Sequence, residues 1–262
     1  MRTLGIVGPG SGTLADRLLD RLDGRTALVR GTGAEGSATD GGVATRREGA
    51  STTYELGPDG WHASGESATV EGVLDRLAPD HDYALVLDRP DARLAQVATG
   101  DGHDADLTAA PDGDLDPVLE LLEDREPRET LESLVDRVKA SARADRAGAI
   151  ATFTGRVRAK DGEDDTPTQY LEFEKYEGVA ERRMRDLEAE LEERDGVLDV
   201  VMHHRTGVIP DGEDIVFVVV LAGHRREAFR TVEDGIDRLT EEVPIFKQEV
   251  TTEETFWVHE RD

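Results

Sequence analysis

Gly148-Ala149-Ile150-Ala151-Thr152-Phe153-Thr154-Gly155-Arg156-Val157 reads as a β run that ends in a glycine turn. Before it, Leu131 to Ala144 has the apolar spacing of an amphipathic helix. After it, Tyr170 to Lys175 alternates as a strand and Val179 to Leu191 returns to helical spacing. Val197 to His204 and Ile215 to Leu221 are β runs on either side of Pro210-Asp211-Gly212, and Phe229 to Leu239 is again helical, with a last β run near Phe256. The order α-β-β-α-β-β-α predicts an α+β unit, with an antiparallel or mixed sheet and helices on one side.

A charged, proline-containing stretch from Glu123 to Glu129 marks a boundary, so two domains are expected, 1–124 and 130–262. In the first, strand runs at Thr3 to Val7, Ala27 to Arg30 and Asp82 to Asp88 surround a helical stretch from Leu14 to Leu22, which predicts α/β. Gly31 to Gly49 is rich in small residues that bury little and reads as a loop or short hairpin. The turn Gly8-Pro9-Gly10-Ser11-Gly12-Thr13 lies between strand and helix like a phosphate loop. Gly8, Gly12 and Thr13 are its candidate nucleotide contacts, but the lysine such a loop needs is absent and the spacing is one residue short.

Charge narrows the partners. With 58 Asp plus Glu against 31 Lys plus Arg, the formal net charge is -27, which repels nucleic acid and anionic membranes. The periodic apolar segments argue for a folded, salt-adapted (halophilic) chain rather than a disordered one. No cysteine is present, so disulfides, thiolate metal sites and cysteine nucleophiles are excluded. No long apolar run or signal-type start is seen, and a cytoplasmic location is expected. The histidines are dispersed, with no metal-ligand spacing beyond the neighbours His203 and His204, which point oppositely on a strand, so no metal and no cofactor are expected.

An anionic ligand then needs a local basic pocket, and four clusters at element ends offer one. Arg156 and Arg158 stand two apart just beyond a strand, where extended geometry sends both to one face. His224 and Arg225 open a helix, where backbone N–H groups also favour anions. His204-Arg205 closes another strand. Lys247 follows the apolar Pro244-Ile245-Phe246 run at the end of a helix, held where it can bind an oxyanion or carry a proton. A compact α+β domain could gather all four around one pocket.

In this order the segments 153–158, 174–178, 204–207, 215–218, 224–229 and 244–249, with Trp257-Val258, resemble MoaE, the large subunit of molybdopterin synthase, across roughly residues 130 to 260. The resemblance implies an α/β hammerhead-like fold, a homodimer, and conversion of cyclic pyranopterin monophosphate to the dithiolene molybdopterin. Sulfur would come from the C-terminal thiocarboxylate of a small ubiquitin-like carrier ending in Gly-Gly. It also implies that Arg158, His224, Arg225 and Lys247 hold the substrate and that Lys247, close to the carrier's C-terminus, is the catalytic lysine. Arg156, Lys175, Arg205, Arg238 and Glu249 stand as supporting residues.

One position departs from the family: a second lysine is usual seven residues before Lys247, and Thr240 stands there. Either activity is reduced or another basic residue, such as Lys175 or Arg238, takes over. The first half resembles the MobB-like P-loop proteins through Gly5-Ile6-Val7-Gly8 and Tyr83 to Asp88, in a degenerate form, since Asp88-Arg89-Pro90 replaces the usual acidic residue and glycine. Two other functions are open: a non-catalytic partner or conjugation acceptor of the carrier, and a nucleotide-dependent cofactor adaptor.

Overall fold

The computed structural model describes residues 1–30, 50–58, 60–65, 68–160, 162–176, 178–252 and 255–258. The loop or hairpin expected at 31–49 lies outside the described residues. The chain divides into two compact units, Met1–Thr130 and Leu131–Asp262.

In the first unit β1 (Arg2–Val7) leads through a tight turn into α1 (Ser11–Arg21), and β2 (Thr26–Arg30) follows. A two-stranded ribbon, β3 (Thr52–Gly57) and β4 (Gly60–Gly65), precedes α2 (Val70–Leu77), β5 (Tyr83–Leu87), β6 (Gln96–Ala98), β7 (Leu107–Thr108) and α3 (Asp116–Asp124). The main sheet has the order β2-β5-β1-β6-β7 and its pairs are parallel. Both faces of a parallel sheet need cover. Leu14, Leu18, Val118 and Leu122 of α1 and α3 pack with Leu4, Ile6 and Leu85 on one side, while Val70 and Leu74 of α2 meet Ala84 and Val86 on the other. The ribbon, α2, α3 and the two short strands go beyond the sequence reading, because their apolar runs are too short for a clear period.

In the second unit α4 (Leu131–Lys139) is shorter than expected and is followed by a 3-10 turn at Ala144–Arg146. The remaining order is β8 (Ala149–Arg156), β9 (Thr168–Lys175), α5 (Val179–Glu192), β10 (Val197–His204), β11 (Gly207–Pro210), β12 (Asp214–Ala222), α6 (Arg225–Glu242), β13 (Ile245–Thr251) and β14 (Thr255–Val258). Two antiparallel sheets form, β10-β12-β8 and β11-β9-β13-β14.

The expectation of helices on one side is corrected. α5 and α6 pack on one face of β10-β12-β8 through Leu187, Leu191, Val232 and Leu239 against Val200, Met202, Val218 and Val220. Leu134 and Val138 of α4 cover the opposite face against Leu198, Val201, Phe217, Val219 and Leu221. β12 is therefore apolar at nearly every position, being buried from both sides. Gly235 lets α6 close on the sheet, since a Cβ there would sit 3.1 Å from both Met202 Cε and Val218 Cγ1.

The edge of β10 is closed by side chains rather than by another strand. Glu188 accepts a 2.6 Å hydrogen bond from Met202 N, and Glu192 accepts one of 3.2 Å from Val200 N. Desolvation pushes the Glu188 carboxyl up to about 7, against the pull of the Met202 N–H and Arg137.

Candidate functional site

The basic residues expected to converge fall at two ends of the second unit. At one end β12 runs out at Ala222, and Gly223 and His224 turn the chain into α6. Gly148 N donates to Ala222 O at 3.0 Å and Gly223 N to Gly196 O at 2.8 Å, so three glycines pack backbone against backbone. A Cβ on Gly148 would lie 2.4 Å from Gly223 O. An open depression there is lined by Gly148, Gly223, His224, Arg225, Arg226 and Glu227. No side chain caps α6, so the first-turn N–H groups face this depression without an internal acceptor. His224, Arg225 and Arg226 are exposed. The helix terminus and two guanidinium groups together offer the N–H donors and positive charge that an anion could take.

The other end holds Arg156, Arg158, Arg205 and Lys247. β8 pairs with β12 so that Ala149 lies opposite Ala222, and Arg156 opposite Asp214. Arg156 and Arg158 thus stand a whole strand away from His224. α6 runs 18 residues from Arg225 to Glu242, about 27 Å at the usual rise, and Thr240 is in its last turn. A single pocket built from all four clusters of one chain is excluded by that separation.

Within this second group the side chains differ in availability. Arg156 donates to Gly212 O and pairs with Asp214 at 3.1 Å, and Arg205 reaches Asp214 O at 2.7 Å and Glu213 at 3.0 Å. Both are committed to the β12 entry. β8 ends at Arg156, and Arg158 lies two residues on, with both arginines exposed and Val157 buried between them. His204 is buried edge-on to Phe173, centroids 4.8 Å apart, with Nδ1 2.7 Å from Arg205 O, and His203 stacks on Phe217. The two histidines do point to opposite faces.

Lys247 is in a strand rather than at a helix end, because α6 stops at Glu242 and β13 starts at Ile245. It lies opposite Phe173 on β9 and Val258 on β14, and Ile245 lies opposite Lys175. By strand alternation Lys247, Ile245, Phe173 and Lys175 share the face that packs into the core. Lys247 is half-buried there, and its side chain makes no hydrogen bond or ion pair with a described residue. The nearly buried Lys175 pairs with Glu181 at 2.8 Å. Burial pushes the Glu181 carboxyl up, but hydrogen bonds from Lys175 and from backbone N–H groups, Gly178 N included, hold it below the usual carboxylate range.

Arg238 is not available as a substitute cation. It pairs with Glu190 and Glu242, which also hold Arg183, closing a ring between α5 and α6. The Thr240 hydroxyl donates back to the Ile236 and Asp237 carbonyls at 3.1 and 2.8 Å. Glu249 accepts from the Thr168 hydroxyl. Arg226 and Glu227, which sequence reasoning passed over, line the depression beside Arg225, and their place in the first turn of a helix after a strand was the signal for them.

The N-terminal turn also differs in detail. Gly8 and Gly10 take φ of 105° and 86°, while Gly12 lies inside α1 and has no such demand. Ser11, not the exposed Thr13, turns inward and donates to Asp88 at 3.1 Å. A carboxylate therefore stands at the helix terminus, where a phosphate loop would receive an anion. Among the described residues no cluster of three or more His, Cys, Asp or Glu could hold a metal, and no helix is long and apolar enough to cross a membrane.

Comparison with known proteins bears on the whole chain. The family described as MoaE protein matches residues 128–242. A protein of Haloferax volcanii described as a probable molybdopterin synthase is 55% identical over 269 residues, covering 100% of both chains. A molybdopterin synthase catalytic subunit of Pyrococcus abyssi is 36% identical over 111 residues, 42% of this chain and 74% of that one. Among solved structures, molybdopterin synthase from Staphylococcus aureus has a TM-score of 0.42 at 32% identity, covering 44% of this chain and 83% of the other. With a relative of this identity along its full length, the chain belongs to the MoaE family, the catalytic subunits of molybdopterin synthase.

Proposed function

We propose that the chain converts cyclic pyranopterin monophosphate to molybdopterin with sulfur from a thiocarboxylated ubiquitin-like carrier, and that its active site is shared between two copies in a homodimer. The observation that carries the shared site is the separation of His224 and Arg225 from Arg158 and Lys247 by the length of α6. One ligand cannot span about 27 Å. A two-fold dimer can bring the α6 N-terminus of one copy against the Lys247 end of the other.

In this reading Arg225, His224 and the free N–H groups of α6 hold the substrate's phosphate, and Arg158 of the other copy holds the remainder. The carrier's tail reaches Lys247. Its thiocarboxylate sulfur forms a bond to a ring carbon of the precursor as the cyclic phosphate opens, and water then releases the carrier as a carboxylate. A second loaded carrier completes the dithiolene. Lys247 stabilises the oxyanion that develops at the carrier's terminal carbonyl, or carries the proton lost by the attacking water, from a half-buried position where such a charge acts strongly.

Thr240 cannot supply a second cation, and Arg238 is committed to two carboxylates. Lys175 is then the supporting lysine, two positions along the same sheet face from Lys247 and held by Glu181. The first unit, 1–124, is read as a degenerate MobB-like domain without a nucleotide, since Asp88 occupies its helix terminus through Ser11. Residues 130–262 form the synthase domain.

Complementation between copies tests this. Arg225→Ala and Lys247→Ala homodimers are each expected to be inactive in sulfur transfer. Mixed after reversible dissociation, they regain about a quarter of wild-type activity, since half of the dimers are mixed and each has one intact site. No recovery after verified exchange would sink the shared site, and product from Lys247→Ala alone would remove its catalytic role. Carrier binding without product in the wild-type chain would favour a non-catalytic partner instead.

A further inference from the structure

The ribbon of β3 and β4 turns its apolar side outward. Opposed residues of an antiparallel pair point to the same side. The register Thr52↔Gly65, Tyr54↔Ala63 and Leu56↔Trp61 therefore gathers these six on one face and leaves Thr53, Ser64, Glu55 and His62 on the other. On the polar face the Thr53 and Ser64 hydroxyls are closed off from solvent, while Glu55 and His62 are exposed. Tyr54, Leu56 and Trp61 are 61%, 84% and 63% exposed. The Tyr54 and Trp61 rings lie 6.1 Å apart at 39°, with Leu56 next after Tyr54 on this face and directly across from Trp61. Both strands pair only with each other among the described residues, and a two-stranded ribbon alone is marginal in water.

We propose that this face is a contact between two copies of the chain, ribbon on ribbon about a two-fold axis, with Leu56 of each copy set against the Tyr54 and Trp61 rings of the other. Charge points to that partner. At a net charge of -27 two copies repel over most of their surfaces, but this face carries no charged side chain, so self-pairing here sets no like charges in opposition. A basic partner would be drawn to the acidic surface elsewhere. The three large side chains offer roughly 400 Å² per ribbon, so about 800 Å² per pair. That is below the ~1,200 Å² of stable complexes, and the contact is accordingly weak. Salt strengthens it, by screening the mutual repulsion and favouring apolar burial.

The contact is independent of the sulfur-transfer reading, and so is its test. The chain has no cysteine, so Ala63→Cys places its only thiol in the middle of the face. With a short bismaleimide, the full-length variant should form covalent dimers about tenfold more in multimolar potassium chloride than at ~0.1 M. Adding Leu56→Asp, or Leu56→Ser as a milder change, should remove that gain while circular dichroism is unchanged. Equal yields with and without these changes would overturn the proposal. So would failure to cross-link although a monofunctional maleimide labels the introduced thiol, which shows an open face without a partner. Failure of that labelling as well would overturn it too, since the face is then covered by its own chain.

Discussion

Replacing Glu188 with glutamine removes a charge that burial opposes while keeping an oxygen to accept the Met202 N–H. The carboxyl is pushed from 4.5 to about 7 by desolvation, with Arg137 and Arg185 pulling it back and Glu192 adding to the push. A carboxyl raised in the folded state binds its proton more tightly folded than unfolded. Its contribution to stability is therefore full below the unfolded value of 4.5 and is lost as pH rises through about 7. At about 1.4 kcal/mol per unit, the wild type loses roughly 3 kcal/mol across that window as an upper figure. Glu188→Gln has no such loss. Urea unfolding of both proteins from pH 5 to pH 8.5 at fixed salt should show equal stability at the acid end, with the variant ahead by roughly 2–3 kcal/mol at the alkaline end. A difference that stays flat with pH refutes the reasoning. So does a variant that is weaker at pH 8.5, which would mean that the ionised carboxylate holds β10 better than an amide does.

Three further outcomes follow from the site and its surroundings. Thr240→Lys should raise sulfur-transfer turnover and should partly restore a Lys175→Met variant, whereas Lys247→Ala should abolish turnover; if Thr240→Lys changes neither protein, the lysine absent at 240 was not limiting. Gly148→Ala forces a Cβ to within 2.4 Å of Gly223 O, a backbone atom that cannot swing away, so the turn bearing His224 and Arg225 must shift. It should cost about 1–3 kcal/mol in thermal unfolding and raise KM for the precursor more than it lowers kcat. Arg238→Ala opens the α5–α6 ring, whose members are partly exposed, so the loss should be about 1 kcal/mol or less at low salt and smaller still in molar salt.

The second unit was more legible than the first, and the residues show why. β12, Asp214–Ala222, is apolar on both faces and long, so its strand character survives any tertiary context. The start of α6 was visible as His224-Arg225 after a strand. What the sequence hid was distance: four basic clusters at element ends look alike in a linear reading, yet antiparallel pairing of β8 with β12 sends two of them to opposite ends of one sheet. Lys247 was expected at a helix end because Pro244-Ile245-Phe246 reads as a helix stop, while the strand that holds it draws its stability from cross-strand partners far away in sequence. In the first unit, Tyr54 and Trp61 carried no signal because a short ribbon with its apolar face exposed has no buried face to impose a pattern.

The acidic surface and the anionic substrate proposed for it are reconciled by where the cations are left unspent. Arg156, Arg183, Arg205 and Arg238 each hold carboxylates or carbonyls of the fold, which is what an excess of 58 acids over 31 bases imposes on most basic side chains. His224, Arg225, Arg226 and Lys247 stand apart, with no side-chain partner among the described residues. At the α6 terminus the cations are joined by first-turn N–H groups, donors that neither titrate nor pair with a mobile acid. Salt that screens the net charge weakens long-range repulsion of a phosphate more than it weakens these short contacts. Affinity for the precursor should therefore hold or rise between low and molar salt, in contrast to a site built on long-range attraction. Equilibrium binding across that range decides it, and a steep fall in affinity with salt would place the phosphate elsewhere.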